Sequence, residues 1–155
     1  MKLLQKNTKN SVKVVIDTST LFSAIYNRKG NEAYLFELAD KGLCSIYIVD
    51  YVLEEMKEVF KRKKLDFDLV SDLLDTYKNI HICELVDLKE GEIKSAKELI
   101  EDKEDRPIFV FALRMINEYA GAYFVSGDKG FFKEKVKKSL NFKIIKTKEF
   151  IKIVN

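Results

Sequence analysis

Short apolar, β-branched runs alternate along the chain with longer segments whose apolar residues recur every three or four positions. The run SVKVVI at residues 11–16 is typical of a buried strand, and residues 45–49, 122–126 and 143–145 show the same pattern. Residues 80–83 are predicted to be a short strand or an extended link. The helical period predicts helices over these ranges: 18–26, 31–41, 51–63, 67–77, 93–100, 106–119, 129–137 and 147–153.

The order of these elements predicts the fold class. Strands that are separated by helices pair in parallel through crossover connections, so we expect a three-layer α/β/α sandwich around a central parallel sheet. No Pro- or Ser-rich linker interrupts the chain, and its only proline is Pro107. Residues 1–155 are therefore predicted to form a single domain. In such sheets, ligands bind beyond the carboxyl ends of the strands.

Composition narrows the class of protein. At 46% hydrophobic and 34% charged residues, the chain is too apolar for a disordered protein and too charged for a membrane protein. No apolar run approaches the roughly 18 residues of a membrane helix. The first ten residues lack the apolar core of a secretion signal, which predicts a cytoplasmic protein with reduced thiols at Cys44 and Cys83.

The net charge of +3 conceals an uneven distribution. Residues 1–13 hold four lysines and no acid, and residues 126–155 hold nine lysines and three acids. Between them, residues 66–105 hold thirteen acidic and five basic residues. The pattern is compatible with an ordinary mixed surface or with a basic rim for a phosphate polymer around an acidic centre.

Four acids occupy informative positions. Asp17 follows the first predicted strand, Asp128 follows a later strand in YFVSGD, and Asp105 opens the apolar helix in EDRPIFVFAL. Glu55 lies on the helix after the second strand. At 100° per residue, Glu55 is about 100° from the centre of the apolar face of that helix, whereas Glu54 is about 160° away and faces solvent.

Each acid also has an ordinary structural interpretation. Asp17 and Asp105 are good helix N-caps, Asp128 suits a GDKG turn, and Glu55 suits a helix surface. Four converging carboxylates would repel one another, however, and a hard divalent cation such as Mg²⁺ relieves that repulsion. The single histidine, His81, lies in an apolar run and is predicted to be structural, so no soft-metal site competes.

These motifs resemble those of PIN-domain nucleases over nearly the whole chain. The matching segments are VVIDTST around Asp17, LEEMKEVF around Glu55, DRPIFVFAL at Asp105 and FVSGDKGF at Asp128. The last two, in this order and about twenty residues apart, are the most specific part of the match. The family often carries a further Asp two residues after the last motif acid, where this chain has Gly130.

The resemblance implies a Mg²⁺- or Mn²⁺-dependent ribonuclease that hydrolyses phosphodiester bonds of single-stranded RNA. The implied catalytic and metal-binding residues are Asp17, Glu55, Asp105 and Asp128. Thr18 is expected to support Asp17, and Ser126 to orient Asp128 or bind a metal water. Three cations near these acids are candidates for phosphate contact: Arg28, Arg106 and Lys129.

The resemblance also implies partners. PIN-domain nucleases are often the toxin of a toxin–antitoxin pair, so an antitoxin protein and a homodimer are expected partners, together with RNA and without a membrane. The departure at Gly130 leaves open a PIN-fold module that binds RNA or a protein without cutting. A receiver-like domain phosphorylated on Asp17, a phosphatase of the HAD type and a purely structural domain are further alternatives; Ser19 stands where the phosphatase would have a second Asp.

Overall fold

A five-stranded parallel sheet forms the centre of the computed structural model, which describes residues 12–155. The sheet order is β3-β2-β1-β4-β5, and each neighbouring pair of strands is parallel. The strands are β1 (Val12–Ile16), β2 (Cys44–Val49), β3 (Ile80–Cys83), β4 (Ala122–Val125) and β5 (Ile144–Ile145). The predicted three-layer α/β/α class is confirmed, and residues 80–83 are a strand.

The central strand β1 is buried on both faces. Val14, Val15 and Ile16 are fully inaccessible to solvent, which explains the unbroken apolar run in the sequence. Ile16 is in register with Val125 of β4, so the carboxyl ends of these two strands lie side by side. The next strands along the chain, β2 and β3, lie on the other side of β1, which makes the β1–β4 boundary the topological switch point.

Eight α-helices of residues 12–155 cover the sheet. They are α1 (Thr18–Tyr26), α2 (Asn31–Asp40), α3 (Asp50–Arg62), α4 (Asp68–Thr76), α5 (Glu90–Leu99), α6 (Arg106–Glu118), α7 (Glu134–Ser139) and α8 (Thr147–Val154). Helix α1 packs against α2 and α3, and α6 packs against α5 and β4. The apolar α6 is largely buried, as predicted. No helix of residues 12–155 has the length and apolar character needed to cross a bilayer.

Two helical predictions were wrong in detail. The predicted helix at 129–137 is a 3₁₀ turn, Lys129–Phe132, followed by α7, because Lys133 between them is extended. Phe131 of the turn is buried and packs edge-on against Phe124, with ring centroids 4.8 Å apart. Helix α5 begins at Glu90 rather than residue 93, since the Glu92 carboxylate accepts a hydrogen bond from Lys89 N at 2.9 Å.

Three further predictions concern single residues and the domain. Cys44 and Cys83 are both free, but Cys83 is only half-buried. His81 is exposed on the edge strand β3, where its ring stacks on Tyr47 with centroids 4.8 Å apart. That a single domain spans residues 1–155 stays a prediction, as the first eleven residues lie outside the described part of the chain.

Candidate active site

Asp17 lies at the switch point and is held by hydrogen bonds. It is 3% exposed and caps helix α1, where its Oδ1 accepts hydrogen bonds from Thr20 N at 2.9 Å, Thr20 Oγ1 at 2.6 Å and Ser19 Oγ at 3.1 Å. Oδ2 accepts one hydrogen bond, from the Ser126 hydroxyl. A carboxylate oxygen has two lone pairs, so Oδ2 retains one for a further ligand. The predicted N-cap and a role in binding are therefore compatible.

Ser126 joins Asp17 to the loop that carries Asp128. Its side chain is 1% exposed and donates to Asp17, while its Oγ accepts a hydrogen bond from Asp128 N at 3.0 Å. We expected Ser126 to orient Asp128. It does contact the Asp128 backbone, but it donates its hydroxyl proton to Asp17 and not to the Asp128 carboxylate. Asp128 itself is exposed and caps the following turn by accepting from Gly130 N at 2.9 Å.

Glu55 turns towards the same place from helix α3. It is half-buried, while its neighbour Glu54 is exposed, as the helical angles predicted. Thr18 donates a hydrogen bond to Glu55 Oε1, so Thr18 supports Glu55 rather than Asp17. Burial raises the pKa of Glu55 to about 7, with a further contribution from a hydrogen bond to Glu104 and the charges of Glu104 and Asp102.

Asp105 has the most strongly perturbed carboxyl group of the site. Its side chain makes no capping hydrogen bond to α6, so the N-cap interpretation fails here. Burial raises its pKa to about 8, and the negative charges of Asp128, Asp102 and Asp17, with a hydrogen bond to Asp128, act in the same direction. The surroundings of Asp105 therefore disfavour its ionised form.

One open cleft of about 340 Å³ brings these acids together. Its lining combines the four predicted acids and Thr18 with apolar and aromatic side chains. The lining residues are Asp17, Thr18, Ser19, Phe22, Ser23, Glu55, Met56, Val59, Lys63, Asp105 and Asp128.

The donor set suits a hard divalent cation. The ion pairs among residues 12–155 are Arg114–Glu92 and Lys133–Glu101, and neither neutralises an acid of the cleft. No group of three or more acidic, His or Cys side chains in that range already surrounds a metal-sized point. The four acids are all oxygen donors, and the charges of Asp128 and Asp17 contribute to the raised pKa of Asp105. None of the four forms an ion pair within residues 12–155, so the cleft has the chemistry that Mg²⁺ or Mn²⁺ satisfies.

Sequence comparison identifies the family of this fold and cleft. The family described as PIN domain matches residues 13–129, which is most of the chain and includes all four acids of the cleft. The chain belongs to the PIN-domain family. PIN domains are generally hydrolytic nucleases that use divalent metal ions, and the resemblance found in the motifs is confirmed at this level.

A solved structure shows the same PIN-like fold. One chain of the crystal structure of VapBC2 from Rickettsia felis, bound to a DNA fragment from their promoter, superposes with a TM-score of 0.59. The two chains share 18% sequence identity, and the match covers 86% of this chain and 98% of the other. No match was found among curated proteins. The structural likeness at this identity concerns the fold alone.

The three predicted phosphate-binding cations lie outside the lining of the PIN-domain cleft. Arg28 is exposed in the turn after α1, and Lys129 is exposed beside Asp128. The Arg106 guanidinium is committed to the backbone, since its Nε donates to Ile100 O at 2.9 Å and its Nη2 to Glu101 O at 3.4 Å. Arg106 thereby holds the loop before α6, which is a structural role that the sequence did not predict.

Sequence reasoning missed Lys63, which lines the PIN-domain cleft, and Glu104, which lies beside Glu55. Lys63 stands in register with Glu55 and Val59 at intervals of four, a helical stripe that could have been read from the sequence. Its ammonium group lies 5.8 Å from the ring centroid of Phe22. Glu104 had no such signal, because the 3₁₀ turn Lys103–Asp105 that directs it towards Glu55 depends on Asp102, whose carboxylate accepts from Glu104 N at 3.0 Å.

Proposed function

We propose that this PIN domain is a divalent-metal-dependent endoribonuclease that hydrolyses phosphodiester bonds of single-stranded RNA. The observation that carries the proposal is the convergence of four acids in one cleft, where none of them forms an ion pair within the described residues: Asp17, Glu55, Asp105 and Asp128. Burial is the main cause of the raised pKa values of Glu55 and Asp105, and neighbouring carboxylates add to both. Perturbed acids in a cleft are typical of functional sites.

The four acids would hold one or two Mg²⁺ or Mn²⁺ ions. When bound, such an ion lowers the pKa of a water molecule and stabilises charge on a phosphate. The remaining lone pair on Asp17 Oδ2 and the exposed Asp128 carboxylate would be donors. A bound cation would favour the ionised forms of Glu55 and Asp105, because its positive charge opposes the effects that raise their pKa values.

Two hydroxyl groups fix the orientation of these ligands. Ser126 fixes the plane of the Asp17 carboxylate, and Thr18 does the same for Glu55. Both serve as supports behind the acids, which preorganises the site before the RNA arrives.

The aromatic side chains in and beside the cleft support nucleic acid as the substrate class. Phe22 lines the cleft and stacks on Tyr26, with centroids 5.7 Å apart and planes 14° apart. Tyr26 is 77% exposed, so this aromatic pair offers a face to an unpaired base. Lys63, beside Phe22, is placed to contact a phosphate of the same strand. Single-stranded RNA presents both groups together.

Cleavage of a fluorescent single-stranded RNA with Mn²⁺ or Mg²⁺ tests the proposal. We expect cutting that EDTA abolishes and that Asp105→Asn reduces by about a hundredfold or more, in the range that loss of a key charged group commonly costs. Asp75→Asn, an exposed acid on α4, is the matched control and should cut like the parent protein. Cutting that survives Asp105→Asn would overturn the assignment of the acids.

A toxin role with an antitoxin partner, in the cytoplasm, extends the proposal. It is supported by the role that the PIN-domain resemblance implies and by the structural likeness to a chain of VapBC2. We expect expression to arrest bacterial growth, and Asp105→Asn to abolish the arrest. Light scattering tests the expected homodimer, since the monomer mass is 18.1 kDa. A mass of one chain at micromolar concentration would contradict it.

Gly130 supports a second candidate, a PIN-fold module that binds RNA or a protein without cutting. An acid is missing there, beside the exposed Asp128. This candidate predicts RNA binding that persists in EDTA and no cleavage with Mn²⁺ at any concentration. The RNA cleavage experiment separates the two candidates.

A further inference from the structure

A second cavity, of about 280 Å³, adjoins the acidic cleft. We call it the α8 cavity, and its walls include Ser19, Ser23, Asn31, Thr147 and two lysines. Ser19 and Ser23 also line the acidic cleft, so the two cavities share a wall on helix α1. The α8 cavity contains none of the four acids and has a different chemistry.

The first turn of helix α8 offers hydrogen-bond donors to an anion in the cavity. Lys146 precedes the helix in an extended conformation, and no side chain caps the N-terminal N–H groups of α8. Phe150 N is the first N–H group of the helix to donate a hydrogen bond to a backbone carbonyl, that of Lys146, at 3.1 Å. The preceding N–H groups therefore remain available at the positive end of the helix dipole.

Thr147 supplies an independent indication of a ligand. The residue is 8% exposed, lines the α8 cavity and makes no side-chain hydrogen bond within residues 12–155. All fully enclosed polar side-chain atoms in that part of the chain have partners, so the Thr147 hydroxyl opens into the cavity. Thr147 is thus a largely buried residue whose hydroxyl can donate to, or accept from, a ligand in the α8 cavity.

The charges of the wall favour a phosphodiester. Lys146 and Lys148 flank Thr147, and neither is in one of the two ion pairs within the described range. Glu32 is the acid of the lining and offsets part of this charge. Two lysines, a hydroxyl and free N–H groups suit the oxygens of a phosphate group, and a phosphodiester supplies these oxygens.

We propose that the α8 cavity binds a backbone phosphate of the RNA strand whose neighbouring segment lies in the acidic cleft. This inference rests on the proposed function for the identity of the strand. Ser126 links the two places, because it lines the α8 cavity and donates its hydroxyl proton to Asp17. The site adds affinity and fixes which phosphate of the strand reaches the acids.

Amide chemical shifts of the full-length ¹⁵N-labelled protein test the inference. The probes are tetrauridylate and inorganic phosphate, both in EDTA so that no RNA is cut. We expect tetrauridylate to shift the amides of Thr147, Lys148 and Glu149 in a saturable manner. Inorganic phosphate should shift the same amides at least about tenfold more weakly, because it lacks the rest of the strand.

Substitutions then identify the groups responsible. Lys146→Gln with Lys148→Gln should weaken tetrauridylate binding about tenfold and flatten its salt dependence. Thr147→Val should weaken it several-fold, and Thr147→Ser should restore it. Lys152→Gln, at the far end of the same helix, is the matched control and should bind like the parent protein.

Three results would overturn the inference: no shift at these amides, binding that the lysine substitutions leave unchanged, or phosphate that binds as tightly as tetrauridylate. The last would mark a site for free phosphate instead of a strand. Because the readout needs no cleavage, its failure is distinct from failure of the proposed function. A protein that cuts RNA but shows no shifts lacks only this site.

Discussion

Ser126 donates a hydrogen bond to Asp17 across a separation of 109 residues in the sequence. The same hydroxyl oxygen accepts a hydrogen bond from Asp128 N at 3.0 Å. One buried serine thus ties the end of β1 to the loop after β4 and couples the positions of two acids. The carboxyl ends of these neighbouring parallel strands meet at the topological switch point, where this fold class places its ligands.

Loss of this link should impair metal binding and catalysis more than folding. We expect Ser126→Ala to raise the Mn²⁺ concentration needed for half-maximal RNA cleavage by roughly 10–100-fold, as loss of a group that supports a metal ligand commonly does. The free energy of unfolding of Ser126→Ala should be lower than that of the parent protein by only about 1 kcal/mol. Cleavage rates across a Mn²⁺ titration, with thermal unfolding alongside, measure both effects.

Ser139→Ala is the matched control for Ser126. The Ser139 hydroxyl donates to Val136 O at 2.7 Å within α7 and does not line the cleft. Its loss should change stability slightly and leave the Mn²⁺ dependence unaltered. Equal Mn²⁺ dependence in Ser126→Ala and the parent protein would show that Ser126 does not position Asp17.

The metal-free protein should lose stability as the pH rises. Asp105 has a pKa of about 8 in the folded protein against 3.8 for an ordinary Asp, and Glu55 has about 7 against 4.5. A raised folded pKa stabilises the protein below the unfolded value, and that stabilisation is lost as the pH rises through the folded value. The loss should therefore run from about pH 4 to pH 8 in EDTA.

Asp105→Asn should remove much of this pH dependence, because its amide stays neutral. At pH 8 in EDTA we expect the variant to melt on the order of 3 °C higher than the parent, after allowance for solvent screening of a half-buried group. Asp75→Asn is the control, and its melting curve should follow the parent at every pH. A parent protein that is as stable as Asp105→Asn at pH 8 would contradict the proposed repulsion.

Much of this architecture could be predicted from local pattern. The apolar strand before Asp17 and the apolar helix that begins after Asp105 were both evident from the sequence. The helical angle correctly predicted that Glu54 is exposed and that Glu55 is more buried. Pattern failed where long-range contacts decide the outcome. The hydrogen bond from Thr18 to Glu55 could not be predicted from the sequence, since that contact depends on how α1 packs against α3.

Charge alone was a poor guide to phosphate contacts. Arg106 is adjacent to Asp105 in sequence, yet its guanidinium binds the carbonyl oxygens of Ile100 and Glu101. Lys63 is distant in sequence from three of the four acids, yet it lines their cleft. Such differences depend on tertiary packing rather than on spacing along the chain.

Lys63 should contribute to RNA binding without contributing to metal binding. We expect Lys63→Gln to raise the KM for single-stranded RNA several-fold and to reduce the slope of log affinity against log salt by about 0.7, which corresponds to one phosphate contact. Lys61→Gln, an exposed lysine on the same helix, should change neither quantity. A reduced kcat with an unaltered KM would place Lys63 in the chemical step instead.

Gly130 provides a gain-of-function prediction. A Cβ at Gly130 would meet Asp128 Oδ1 at 3.4 Å, an ordinary contact, and no positive backbone φ restricts the position. Gly130→Asp therefore adds an acid beside Asp128 without backbone strain. We expect half-maximal RNA cleavage at several-fold lower Mn²⁺, and a lower melting temperature in EDTA, because the added charge strengthens both cation attraction and repulsion among the acids.

Gly130→Asn separates charge from side-chain volume. It has nearly the same size as the Asp variant but no negative charge, so it should leave the Mn²⁺ dependence close to that of the parent protein. The stability of the two variants should also respond differently to metal. Gly130→Asp should be the less stable of the two in EDTA, and it should gain more stability from Mn²⁺. If both variants responded to Mn²⁺ alike, position 130 would lie too far from the cation to act on it, and the activity of the parent protein would not be limited by the missing acid.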